Sequence, residues 1–148
     1  MIEKPPDAFV DWFRASAPYI HAHRGRTFVL VFGGEAMKSS GLRSLVHDIA
    51  LLSSLGVRLV VCAGARPQID ERIATRGKKS RFIGGRRVTD KLALECAKEA
   101  AGTNRLELEA LLSMALPNSP MAGARMRVVA GNFVSARPVG VIDGVDYQ

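Results

Sequence analysis

The chain has 148 residues, 47% of them apolar, and its 21 Lys+Arg stand against 14 Asp+Glu for a net charge of +7. That length and apolar content suffice for one domain with its own core and exclude a disordered or fibrous chain. The longest apolar runs, 28–32 and 59–63, fall far short of the roughly 20 residues a membrane-spanning helix needs. The N-terminus, Met1-Ile2-Glu3-Lys4-Pro5-Pro6, lacks the basic-then-apolar pattern of an export signal, so a soluble, cytoplasmic protein with no membrane partner is expected.

Asp7 follows Pro5-Pro6 and can cap a helix over 7–22, in which Phe9, Val10, Phe13, Ala17 and Ile20 recur at helical spacing. Trp12 and Tyr19 fall partly off that stripe. Such a helix either caps the sheet or packs on another subunit, because surplus exposed aromatics are typical of interfaces. A strand over 27–32 then ends at Gly33-Gly34. A helix from Ser39 or Ser40 to Leu55 turns Leu42, Leu45, Val46, Ile49 and Leu52 inward and exits at Gly56. Residues 57–63 are nearly all apolar, which predicts a parallel strand buried on both faces between helix layers. Gly64-Ala65-Arg66-Pro67 makes a second strand-to-helix turn, with Pro67 in the first turn of a helix ending near Gly77. Two such units form a βαβα pattern, so both glycine turns should face one crevice beyond the carboxyl ends of the strands.

Arg81-Phe82-Ile83, Gly84-Gly85 and Arg86-Arg87-Val88 read as a hairpin. Thr89 can cap a helix beginning at Asp90, with an interruption at Gly102-Thr103 and a further helix from about Asn104 to Ala115. Pro117 and Pro120 mark a turn-rich connection. In the tail, Met126, Val128 and Ala130 alternate with other residues and Gly131-Asn132 signals a turn. Val134-Ser135-Ala136 and Val139-Gly140-Val141 suggest short antiparallel strands, and Asp143-Gly144 a last turn. With no evident closing helix or strand, the ending reads as a cut within a domain.

Cys62 and Cys96 lack CxxC spacing and a nearby histidine pair, which predicts buried free thiols and no metal. Arg72, Arg76, Lys78, Lys79, Arg81, Arg86 and Arg87 crowd one stretch. Phe82 is the only aromatic there to stack on a base, so a solvated face or a small-anion site is expected rather than nucleic acid. The two glycine turns, with helix N-termini behind them, can take a carboxylate or phosphate on backbone N–H groups, or can be tight turns with no ligand. Arg87 adds a planar fork suited to a carboxylate. A phosphoryl-transfer site on such a turn needs a cation near the strand end. Val31 and Phe32 stand there, pointing to a fold kept for binding or regulation.

The order Val-Phe-Gly-Gly-Glu-Ala (31–36), Val-Val-Cys-Ala-Gly-Ala-Arg-Pro-Gln-Ile-Asp (60–70), Arg-Val-Thr-Asp (87–90), Ala-Ala-Gly-Thr (100–103), Gly-Asn-Phe (131–133) and the closing Gly-Val-Asp-Tyr resembles the amino-acid-kinase-like domain of the bacterial N-acetylglutamate synthase family. The resemblance runs from about Phe9 to Tyr147. It implies an α/β fold, the N-terminal lobe of a three-layer αβα sandwich of the amino-acid kinase (carbamate kinase-like) type with a mainly parallel central sheet. Residues 1–24 would be an oligomerisation arm and 25–148 the lobe, with the acetyltransferase domain absent. Members acetylate L-glutamate with acetyl-CoA in the first step of arginine biosynthesis. This piece is therefore expected to serve regulation and assembly, with no catalytic residue, cofactor or metal of its own. Related N-acetylglutamate kinases carry a lysine where Val31 stands and a more glycine-rich second turn, and both departures agree with the synthase branch. The resemblance places Gly33, Gly34, Gly64 and Arg87, with Arg66 beside them, in a vestigial pocket for an acylated amino acid. Pro18-Tyr19-Ile20 resembles the N-terminal helix motif of arginine-sensitive relatives, which together with the off-stripe Trp12 makes Trp12 and Tyr19 the candidate effector or oligomer contacts and implies a homo-oligomer, of the hexamer-of-dimers type, through the N-terminal helix. L-arginine would be the effector of the full-length enzyme. An acetylglutamate-kinase-like phosphotransferase, needing a substitute for the missing cation, and a basic nucleic-acid-binding module are the competing readings.

Overall fold

In a computed structural model of the chain, residues 7–114, 122–123, 126–131, 133 and 137–147 are described. Strand β1 (Thr27–Phe32) pairs in parallel with β2 (Arg58–Ala63), in register from Thr27 opposite Arg58 to Phe32 opposite Ala63. A 3-10 turn at Ala36–Lys38 and helix α2 (Leu42–Ser54) connect them. The helix starts later than Ser39 or Ser40 because the chain first makes that extra turn, which buries Met37.

The core lies on one side of the strand pair. Val46, Ile49 and Ala50 of α2, with Leu108 and Leu112 of helix α4 (Lys91–Ser113), pack beneath Leu30, Phe32, Leu59 and Val61. On the opposite face Val29 and Val31 are 62% and 76% exposed, and Val60 and Cys62 are exposed beside them. The expectation of burial on both faces is thereby corrected. The β2 run is apolar at every position, but a strand turns alternate residues to opposite faces, and among the described residues helices cover only one. The same geometry corrects the expected burial of Cys62, which shares the bare face with its register partner Val31. Cys96 is buried, as expected.

Helix α3 (Arg66–Thr75) lies against α4 through Ile69, Ile73, Ala93 and Cys96. The hairpin β3 (Phe82–Ile83) and β4 (Arg86–Arg87) turns at Gly84-Gly85, both with positive φ, as a two-residue hairpin of this hand requires. Asp90, not Thr89, caps α4, its Oδ1 accepting the Ala93 N–H at 2.8 Å. The interruption expected at Gly102-Thr103 is absent and α4 runs unbroken. The Thr103 hydroxyl donates to Glu99 O at 2.9 Å and accepts from Arg72 at 3.0 Å, so tertiary contacts outweigh one glycine's poor helix propensity.

The connection at Pro117 and Pro120, Asn132 of the expected turn and the expected strand at 134–136 lie outside the described residues. Met126 and Val128 pack on the core while Arg127 and Val129 face out, preserving the alternation without a strand pairing. A groove of about 940 Å³ lies between this segment and β2. The antiparallel pair of the tail is β5 (Val141–Ile142) with β6 (Val145–Asp146) around Asp143-Gly144, so a strand does close the described chain, contrary to expectation. Tyr147 is buried against the first hairpin, its hydroxyl donating to Ile83 O at 3.2 Å.

Helix α1 (Asp7–His23) contains no buried residue. Phe9, Phe13, Trp12 and Tyr19 are all exposed, so the helix does not cap the sheet.

Candidate anion-binding crevice

The glycine turns meet at the carboxyl ends of β1 and β2. A Cβ placed on Gly34 would lie 2.9 Å from Gly64 O and 2.9 Å from Pro67 Cδ, and one on Gly64 would lie 3.0 Å from Gly34 N. The Gln68 side chain crowds the Gly34 position as well, so a side chain there would force a shift, and one at Gly64 would press on the Gly33-Gly34 backbone. A Cβ on Gly33 meets chiefly the flexible Glu35 side chain.

Two buried amides fix the turns from below. Gln68 Nε2 donates to Gly34 O at 2.7 Å, and Asn104 Nδ2 donates to Gly64 O at 3.0 Å. With its nitrogen so engaged, Gln68 Oε1 is buried without a donor among the described residues. The first helical residues of α3 receive no side-chain cap from Ala65, so their N–H groups and the local dipole favour an anion.

Arg87 is mostly buried, its side chain 11% exposed, and Nη1 donates to Asp70 Oδ1 at 2.6 Å and to Ser80 Oγ at 2.5 Å. Ser80 also donates to Asp70. The Arg87 hydrogen bond holds the Asp70 carboxyl below the usual carboxylate range against the opposing effect of burial, with Ser80 and the charge of Arg66 adding to the lowering. Arg87 Nη2 reaches Arg66 O at 3.5 Å. Both guanidinium groups lie over Phe82, 4.7 Å from its centroid for Arg87 and 5.5 Å for Arg66. Arg66 is exposed and donates to Gly85 O at 3.3 Å.

The structure thus brings Gly34, Gly64 and Gly33 into contact and ties Arg66 to Arg87, while Trp12 and Tyr19 sit on α1, 65% and 71% exposed. Arg87 is engaged by a carboxylate of its own chain instead of presenting an open fork. Lys38, the cation following the first turn, is likewise paired with Glu71 at 2.5 Å. Val31 is directed onto the bare sheet face. Sequence reasoning missed Gln68, Asn104, Asp70 and Tyr147. An amide in the first turn of a helix carried no signal, whereas Tyr147 stood in plain view within the closing Gly-Val-Asp-Tyr. Among the described residues no group of three His, Cys, Asp or Glu side chains could hold a metal, and no helix is long and apolar enough to cross a membrane.

A parallel strand pair whose glycine turns meet in front of helix N-termini is the frame of a small-molecule kinase fold, and the chain belongs to the amino acid kinase family, which matches residues 26–148. Its sequence is 59% identical over 140 residues to an amino-acid acetyltransferase of Ralstonia nicotianae, covering 95% of this chain and 31% of that protein. It is 53% identical over 139 residues to the amino-acid acetyltransferase of Azotobacter vinelandii, covering 94% and 32%. The structure is similar to that of N-acetylglutamate synthase from Neisseria gonorrhoeae complexed with coenzyme A and L-arginine, with a TM-score of 0.83 and 40% identity, over 96% of this chain and 33% of that one. The same enzyme complexed with coenzyme A and N-acetyl-glutamate gives 0.79 and 42%, over 95% and 31%. The chain spans about a third of the length of the curated relatives it matches.

Proposed function

We propose that the chain is the N-terminal part of an N-acetylglutamate synthase, serving regulation and assembly and catalytically silent by itself. The observation that carries this reading is the 59% identity to an amino-acid acetyltransferase across 95% of the chain, within 31% of that relative's length. The whole protein would acetylate L-glutamate with acetyl-CoA, using residues beyond these.

The chemistry of the crevice supports the silent role. Its backbone amides can hold a carboxylate, but phosphoryl transfer needs a positive group on the migrating charge. Val31 offers hydrocarbon, and Lys38 and Arg87 are neutralised by Glu71 and Asp70. The exposed valine face supports membership of a larger sandwich. The exposed aromatics of α1 support assembly into a homo-oligomer through Trp12 and Tyr19. L-arginine, present in the gonococcal complex, is the proposed effector of the whole protein, with Tyr19 as a contact. The test is to incubate the purified chain with acetyl-CoA and L-glutamate and follow thiol release. No release above the blank is expected, and turnover would overturn the silent role.

A further inference from the structure

The basic run at 72–87 divides into two populations. Arg72 and Arg76 are neutralised by Glu99, and Arg87 by Asp70. Lys78, Lys79, Arg81 and Arg86 are exposed and have no carboxylate partner among the described residues. Three of these, Lys78, Lys79 and Arg81, line a groove of about 250 Å³ floored by Ile73 and Leu92. Asp90, the acid among its described lining residues, accepts the Ala93 N–H at 2.8 Å and sets one negative charge against the three positive ones.

The backbone that carries these cations is pinned at both ends. Lys78 N donates to Ile73 O at 3.1 Å, and Val88 N donates to Arg81 O at 2.9 Å. Between them, the Ser80 hydroxyl is tied to Asp70. Like charges carried close together on this backbone repel one another, and a multivalent anion seated among them relieves that repulsion. We infer that this groove binds a small polyphosphate anion, free or as the tail of a nucleotide.

Size and stacking separate this ligand from nucleic acid. A volume of about 250 Å³ lies below the roughly 300–1,000 Å³ of pockets that enclose drug-sized ligands, so it suits a phosphate chain and not a base. Phe82, the only aromatic of the run, already carries the Arg87 and Arg66 guanidinium groups. The run therefore offers a base no ring apart from the one these two cations already use.

The test is calorimetric titration of the 148-residue chain with inorganic pyrophosphate at low ionic strength, without magnesium. Saturable binding that weakens as salt rises is expected. A Lys78→Ala, Lys79→Ala, Arg81→Ala variant, its fold checked by circular dichroism, should lose about tenfold or more in affinity. An Arg14→Ala, Arg43→Ala, Lys98→Ala variant loses the same charge elsewhere and should bind like the parent. ADP distinguishes the sources: equal affinity marks the free anion, tighter binding the nucleotide, and either supports the site. Equal weakening by both triple variants would reduce the effect to net charge and overturn it. So would absence of pyrophosphate binding at low salt, or binding of an RNA oligonucleotide where pyrophosphate fails.

Discussion

Gly34 and Gly64 hold the two turns together by having no side chain. A methyl on Gly34 would press against Gly64 O and Pro67 Cδ, both 2.9 Å from its position, and neither can retreat. Gly34→Ala and Gly64→Ala should each destabilise the chain by about 1–3 kcal/mol in denaturant unfolding. Gly33→Ala, opposed mainly by the mobile Glu35 side chain, should stay within about 0.5 kcal/mol. Equal losses at all three positions would show that the turns are not in contact. Asp70 offers a test by pH. Its carboxyl titrates below its unfolded value of about 3.9 because Arg87 hydrogen-bonds it. The stability it contributes is therefore present above that value and is lost as pH falls through the folded one. Water screens the pair, Asp70 keeping 39% side-chain exposure, so Asp70→Asn should cost only about 1 kcal/mol at neutral pH. The gap between parent and variant should close below about pH 4. A gap that stays constant down to pH 3 would contradict this.

Among the elements, α1 stands apart because nothing in it is buried. Its periodic apolar positions made the helix legible, but periodicity names a face and not what covers it. Capping the sheet and packing on a second subunit were indistinguishable in the sequence, and the structure removes the first. Deleting residues 1–22 should accordingly leave the unfolding midpoint nearly unchanged while lowering the molar mass found by light scattering. An unchanged mass would refute an assembly role. The strand β1, its glycine turn and the basic hairpin were equally readable, because glycine pairs and short apolar runs have few alternatives. The unbroken α4 was not. Gly102-Thr103 is a weak helix signal locally, and what carries the helix through it is contact with Arg72 of α3 and, at Asn104, with Gly64. Those partners are 31 and 40 residues away in sequence, beyond the reach of a local pattern.

At the scale of the whole molecule, the strand pair is covered on one face and, among the described residues, bare on the other. An apolar run such as 59–63 cannot report this, because alternation is invisible when every residue is apolar. Cys62 therefore serves as a native reporter. A thiol reagent should modify one cysteine rapidly in the folded chain and the second only on unfolding, since Cys96 is buried and accepts a hydrogen bond from Arg76 at 2.5 Å. Rapid reaction of both would contradict the packing of α3 on α4. The crevice was legible as a pair of glycine turns, whereas its supports were not. Gln68, Asn104 and Asp70 gain their roles from tertiary proximity alone. The same proximity removes Arg87 from the pool of free cations, and with hydrocarbon at Val31 it leaves the exposed Arg66, tied to Gly85 O, as the crevice cation without a carboxylate partner among the described residues. The direct measurement is phosphate transfer from ATP, with Mg²⁺, to N-acetylglutamate in the presence of the purified chain. No product above the blank is predicted, whatever anion occupies the basic groove. Catalytic turnover that survives repurification would contradict the account.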